Sequence, residues 1–119
     1  MQSPTSIRPF IGSKNFEESC SFYRQLGFEE IPLENNLHLF KMGSVGFYLQ
    51  RAYVKDWVDN SMVFVELPDL DRFYKELMEK ELVVCFPGAR ISAIQTQPWG
   101  RVIYVHDPSG ILWHFGSFS

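Results

Sequence analysis

The chain has 119 residues, 45% of them hydrophobic and 16% aromatic, enough for one domain with its own core and too few for two. A net charge of -3, with no run of Lys or Arg, excludes the electrostatic footprint of a nucleic-acid or anionic-membrane binder. No apolar stretch approaches the ~20 residues that span a bilayer, residues 1–6 lack the basic start and apolar run of a signal peptide, and the cytoplasm is the expected location.

The predicted elements come in two similar sets. Residues 6–11 read as a first strand, and Pro9 removes a ladder donor from it, which suits an edge or a subunit boundary. Asn15 then caps a helix, with Glu18 in the capping-box position. The apolar face of that helix is Ser19, Phe22, Tyr23 and Leu26, and Gly27 ends it. Strands follow over 28–33, 37–42 and 45–51, the last two joined by a turn at Gly43-Ser44. The second set opens with a strand over 62–67. Asp69 then caps a helix with the face Leu70, Phe73, Tyr74, Leu77 and Met78. Strands over 82–86, 101–106 and 111–115 complete it, with turn chemistry in Asp107-Pro108-Ser109-Gly110.

Each set is strand, helix, three strands. The expected fold class is therefore α+β: two βαβββ modules forming a curled mixed sheet around a cleft, with helices on the outer face. One domain covers 1–119, with module one at about 6–52 and module two at about 61–119. Matching Phe22-Tyr23 to Phe73-Tyr74 gives one register for the repeat; matching the two caps gives another, three residues away, and the sequence leaves both open.

Alternation along the strands separates two faces. Val45, Phe47 and Leu49, Val63, Val65 and Leu67, and Ile111, Trp113 and Phe115 are the sets that helices would cover. The complementary set mixes polar and aromatic groups: Arg8, Phe10, Tyr48, Gln50, Met62, Phe64, Glu66, Leu112 and His114. That mixture suits a cleft wall better than dry packing. Cys20 and Cys85 lack metal or redox spacing and read as small buried apolar residues, and no nucleophile-base pair or phosphate loop is present.

Four ordered motifs carry a resemblance across nearly the whole chain. They are Asn15-Phe16-Glu17-x-Ser19-x-x-Phe22-Tyr23-x-x-Leu26-Gly27-Phe28, Pro68-Asp69-Leu70-Asp71, Pro98-Trp99-Gly100-Arg101 and Asp107-Pro108-Ser109-Gly110. This set resembles the vicinal oxygen chelate superfamily, which includes glyoxalase I, extradiol dioxygenases and bleomycin-resistance proteins. The resemblance implies a divalent metal held on the uncovered sheet face by ligands on the first strand, at the opening of the second half and on the last strand. It places Arg8, Met62 and His114 at those positions. An arginine offers only donors and a thioether is a poor ligand for hard or borderline ions. No metal, no cofactor and no catalytic residue is therefore expected, and the likeness is to the bleomycin-resistance branch, which binds a drug and transforms nothing.

The resulting expectation is a binder of a small, partly planar ligand, antibiotic or otherwise, acting as a homodimer without nucleic-acid or membrane partners. Its ligand residues would be Arg8, Phe10, Tyr48, Gln50, Trp57, Met62, Phe64, Trp99 and His114. Each has a plainer reading. Arg8 can pair with Glu66 across the face, His114 can be a satisfied interior histidine, and Met62 and Phe64 can be apolar lining. Trp57 and Trp99, both placed in loops, can fold back over the domain. Trp113 reads as core, and His38 and His106 as solvent-facing. The competing class is a lyase or dioxygenase-like enzyme that recruits a metal through His114, Gln50 and Glu66. A ligand-free interaction module is the third.

Overall fold

The structure, a computed structural model, describes residues 1–119. The first module runs β1 (Phe10–Gly12), α1 (Phe16–Leu26), β2 (Glu29–Glu34), β3 (Leu37–Met42) and β4 (Val45–Gln50), followed by a short helix α2 (Lys55–Asp59). The second runs β5 (Met62–Glu66), α3 (Leu70–Glu79), α4 (Leu82–Cys85), β6 (Arg90–Ile91), β7 (Gln95–Gln97), β8 (Gly100–His106) and β9 (Leu112–Phe118). Both N-cap readings hold, but the Glu18 carboxylate makes no return bond to the Asn15 N–H, so the capping box is not closed. Asn15 accepts from the Glu18 N–H at 3.1 Å and Asp69 from the Arg72 N–H at 3.1 Å, each satisfying an orphan donor of a first turn. Gly27, at φ 125°, ends α1 in a conformation that glycine adopts without strain.

The expected α+β class holds, with one mixed sheet from each module. Their orders are β1-β4-β3-β2 and β5-β9-β8-β6, with β7 also paired to β8. In each, the first strand lies at the edge, parallel to the last strand of its module, so Phe10 sits opposite Tyr48 and Phe64 opposite His114. Both strands end three residues before a cap, and the buried Phe16 and Tyr23 of α1 match Leu70 and Leu77 of α3. The caps therefore set the register of the repeat. The literal Phe-Tyr match is coincidental.

Several boundaries differ from the sequence reading. Residues 82–86 are not a strand. Glu81, at φ 53°, turns the chain after α3, and Leu82 and Phe86 are buried at helical spacing around a single turn. A short apolar run fits either element by periodicity alone. Cys85, placed on that turn, is exposed rather than buried. The first strand begins only at Phe10, because Pro9 has no N–H to contribute and enters the pairing through its carbonyl, which accepts from Tyr48 N–H at 2.9 Å. Met78 and Val45 fall outside the buried faces, each 47% exposed.

A 21-residue buried cluster draws on both modules. At its centre the fully buried Tyr23 donates to Asp107 Oδ2 at 2.5 Å and accepts from Trp113 Nε1 at 2.9 Å. Asp107 Oδ1 accepts the N–H groups of Ser109, Gly110 and Ile111, each at 2.9 Å. Burial pushes the Asp107 carboxyl above its ordinary range against the pull of these bonds, and burial with Asp107 beside it pushes Tyr23 well above its own, so the phenol stays a donor. Helix α1 packs on the first sheet and α3 on the second, while the short α2 lies against β1. No helix is long and apolar enough to cross a membrane.

Candidate functional site

On the uncovered face of the first sheet, pleat alternation brings Phe10 and Tyr48 together across β1 and β4. Their rings stack at 4.8 Å, and the Arg8 guanidinium lies 5.8 Å from the Tyr48 ring centroid. Arg8 Nη1 donates to Tyr48 Oη at 3.2 Å, while its buried Nε has no partner. The expected pairing of Arg8 with Glu66 does not form; Tyr48, on the neighbouring strand, is the nearer partner. Gly46 lies beside the guanidinium, where a Cβ would meet Arg8 Nε at an ordinary 3.6 Å but would crowd the Phe40 carbonyl oxygen at 2.8 Å. Trp57 is 74% exposed and stands on α2 rather than in a loop. With Phe10 and Gln50 it rims a small cavity of about 70 Å³.

The second sheet carries a larger aromatic group. Phe64 lies 5.6 Å from Trp99 and 5.8 Å from Phe118, and stacks at 6.2 Å on His114; Tyr104 meets His114 edge-on at 5.1 Å. Met62, 68% exposed, precedes Phe64 on the same face of β5. Trp99 is half-lodged against Phe64 and Phe118 in the turn between β7 and β8. Sequence reasoning missed Tyr104, Phe118 and, above all, Gly116. A Cβ on Gly116 would approach the Phe64 ring to 2.7 Å, so its bareness is what seats that ring. A bare glycine inside the strand run 112–118, the mark of a close approach by another group, is the one hint the sequence offers, and it does not name the partner.

The nine expected ligand residues thus fall into two groups, Arg8, Phe10, Tyr48, Gln50 and Trp57 on one sheet and Met62, Phe64, Trp99 and His114 on the other. No ring–ring contact links them. At the seam between the sheets lies an apolar cavity of about 370 Å³, walled by Phe47, Val63, Val65 and Trp113 and bordered by Ile7 and Pro9. Only Phe64 of the expected residues reaches it.

The positions at which the resemblance would put a metal do not suit one. Arg8 is a permanent cation already engaged with Tyr48 and Met62 presents a thioether to solvent, so of the three only His114, stacked on Phe64 and edge-on to Tyr104, carries a suitable ligand atom, and one ligand does not make a site. The other histidines are less exposed than expected. His106 is half-buried, and burial, with Arg90 and His114 nearby, lowers its pKa. His38 Nδ1 sits 2.7 Å from Glu30 Oε2 and 3.9 Å from Cys20 Sγ beneath α1. Burial, reinforced by Glu30, pushes the Cys20 thiol up to about 12, which removes it as a nucleophile. Burial also works to raise Glu30, yet the hydrogen bonds from His38, Arg24 and Cys20 outweigh it and hold the carboxyl below its ordinary value. Trp113 is core, as expected, at 2% exposure.

Neither a protein-family model nor a curated protein matches the sequence. Solved structures share the fold. A bleomycin-binding protein from bleomycin-producing Streptomyces verticillus, solved with copper(II)-bleomycin, matches with a TM-score of 0.83 at 21% identity over 100% of both chains. A bleomycin resistance determinant encoded on the transposon Tn5 matches at 0.75 and 22%, over 96% of this chain and 98% of that one. A lactoylglutathione lyase from Agrobacterium tumefaciens matches at 0.71 and 18%, over 98% of this chain and 96% of that one. This chain has the fold that these drug binders and this lyase share, and fold alone does not choose between them.

Proposed function

We propose that this chain is a binding protein of the glyoxalase and bleomycin resistance group that holds a small, partly planar molecule with no metal in its ligand site. The observation that carries this reading is the pair of solvent-facing aromatic platforms in which Arg8 and Met62 stand where metal ligands would be required. The Phe10–Tyr48 stack and the Phe64–Trp99–Phe118 group offer flat apolar surface, and the half-buried Arg8 guanidinium beside the Tyr48 ring adds a positive charge at the edge of the first. Relatives in fold that bind bleomycin support an antibiotic as the ligand. The expected site residues remain Arg8, Phe10, Tyr48, Gln50, Trp57, Met62, Phe64, Trp99 and His114. In this reading the chain works as one domain, in the cytoplasm, and pairs into a homodimer that draws the separate platforms of two copies toward one ligand. Protection is by mass action and needs no turnover.

A fluorescence screen tests this. Trp57 and Trp99 are exposed while Trp113 is buried, so a bound planar compound quenches the first two selectively. Bleomycin or another planar glycopeptide is expected to quench emission and to add about 2.7 kcal/mol of stability at roughly 100 Kd. Trp57→Phe and Trp99→Phe apportion the signal. Neither quenching nor stabilisation with any planar compound would sink the reading in favour of a ligand-free interaction module.

A further inference from the structure

On the helix-covered side of the first sheet, away from both platforms, three side chains of unlike chemistry converge. Cys20 descends from the middle of α1, Glu30 rises from β2 and His38 from β3, and one ligand atom from each lies within 4.8 Å of the other two. We propose that Cys20, Glu30 and His38 form a site for a borderline divalent cation of the zinc type, clamped between α1 and the β2–β3 hairpin. It is independent of the ligand platforms, and its failure would leave that reading untouched.

The donor set argues for this class of ion. As the ion binds, the Cys20 thiol and the His38 nitrogen that faces Glu30 release their protons to solvent, and the resulting thiolate, imidazole nitrogen and carboxylate oxygen make the mixed set that zinc, cobalt or nickel accepts, and that calcium or magnesium refuses. For bonds of about 2.0–2.3 Å, tetrahedral ligand atoms stand roughly 3.3–3.8 Å apart. The separations of 2.7 Å for Glu30–His38 and 3.9 Å for Cys20–His38 bracket that spacing, so adjustments of about an ångström complete the geometry.

The surroundings fit as well. Arg24 binds the other Glu30 oxygen, Oε1, at 2.5 Å, which fixes the carboxylate and leaves Oε2 to face inward. Phe16 meets the His38 ring edge-on at 4.9 Å and restrains its orientation. A cavity of about 180 Å³, rimmed by Arg24 and Arg51, opens onto all three residues and has room for a fourth ligand such as water. A dication with one thiolate and one carboxylate is neutral overall, so the two guanidinium groups at the rim do not repel it. The nearby ion pair of Arg51 with Glu17, at 2.7 Å, offsets one of them further.

Cobalt(II) is the probe, titrated into chelator-treated full-length protein carrying Cys85→Ser, which leaves Cys20 as the only thiol. The expected result is one cobalt per chain, with a thiolate-to-metal charge-transfer band in the near ultraviolet and visible bands of tetrahedral intensity. Cys20→Ser is expected to abolish the charge-transfer band. Glu30→Gln and His38→Asn are each expected to weaken cobalt binding by about tenfold or more. Circular dichroism checks that each variant folds, and should Cys20→Ser fail, partly exposed Glu30 and His38 provide the test. Weak octahedral bands only, or cobalt affinity unchanged in both Glu30→Gln and His38→Asn, would overturn the site.

Discussion

Replacing Asp107 by Ala is expected to lower the unfolding free energy by about 3–5 kcal/mol. The carboxylate is buried and accepts from the Tyr23 hydroxyl and from the N–H groups of Ser109, Gly110 and Ile111. Truncation strands the Tyr23 hydroxyl and the Ile111 N–H in the core, while the Gly110 N–H keeps the Asp107 carbonyl oxygen at 3.1 Å, and each stranded donor costs about 1–3 kcal/mol before relaxation. The effect is large because Tyr23 belongs to the first module while Asp107 and Trp113 belong to the second, so the network joins the halves. At about 4 °C per kcal/mol for a domain of this size, the melting temperature falls by roughly 12–20 °C. Tyr23→Phe leaves the Trp113 N–H unpaired and removes one of the bonds to Asp107, and is expected to cost about 1–3 kcal/mol. Asp107→Asn keeps the shape and an acceptor for the backbone amides, and falls between wild type and Asp107→Ala. Urea denaturation of the three variants checks the order; an Asp107→Ala loss below about 1 kcal/mol would contradict the clasp.

The second large effect concerns affinity. Tyr48→Ala removes the stack under Phe10 and the only acceptor that Arg8 has, leaving a guanidinium without an anchor at the edge of the platform. Trp99→Ala removes the ring that packs on both Phe64 and Phe118. Each is expected to weaken a planar ligand by about 2 kcal/mol, roughly thirtyfold in Kd, which is the range of a central aromatic contact. Neither Tyr48 nor Trp99 lies in the buried core, so stability changes little. Gly116→Val reaches the same end from beneath, because its side chain would occupy the space of the Phe64 ring. Fluorescence or calorimetric titration reads these losses, and a Kd unchanged in both alanine variants would place the ligand elsewhere.

The sequence announces some of this architecture and conceals the rest for identifiable reasons. Helix caps are local, so Asn15 and Asp69 locate α1 and α3 and even settle the repeat register that the Phe-Tyr match obscures. Strand alternation separates the uncovered face, with Phe10, Tyr48, Phe64 and His114, from the face that packs inward, with Phe47, Leu49, Trp113 and Phe115. Tertiary facts are not local. The 82–86 run fits a strand until the positive φ of Glu81 makes it a helical turn. Asp107 reads as turn chemistry, and its bond to a tyrosine 84 positions earlier leaves no trace in spacing. The seam cavity and the seat that Gly116 gives Phe64 arise only when strands from different places meet. The convergence of Cys20, Glu30 and His38 likewise depends on the packing of a helix over a hairpin.

Calorimetric titration of metal-free bleomycin into chelator-treated protein, repeated after zinc or nickel is restored, tests the central claim most directly. The same affinity in both states, with no turnover of methylglyoxal–glutathione adducts in either, is the predicted result. Binding or turnover that appears only with added metal and vanishes in His114→Ala would contradict it.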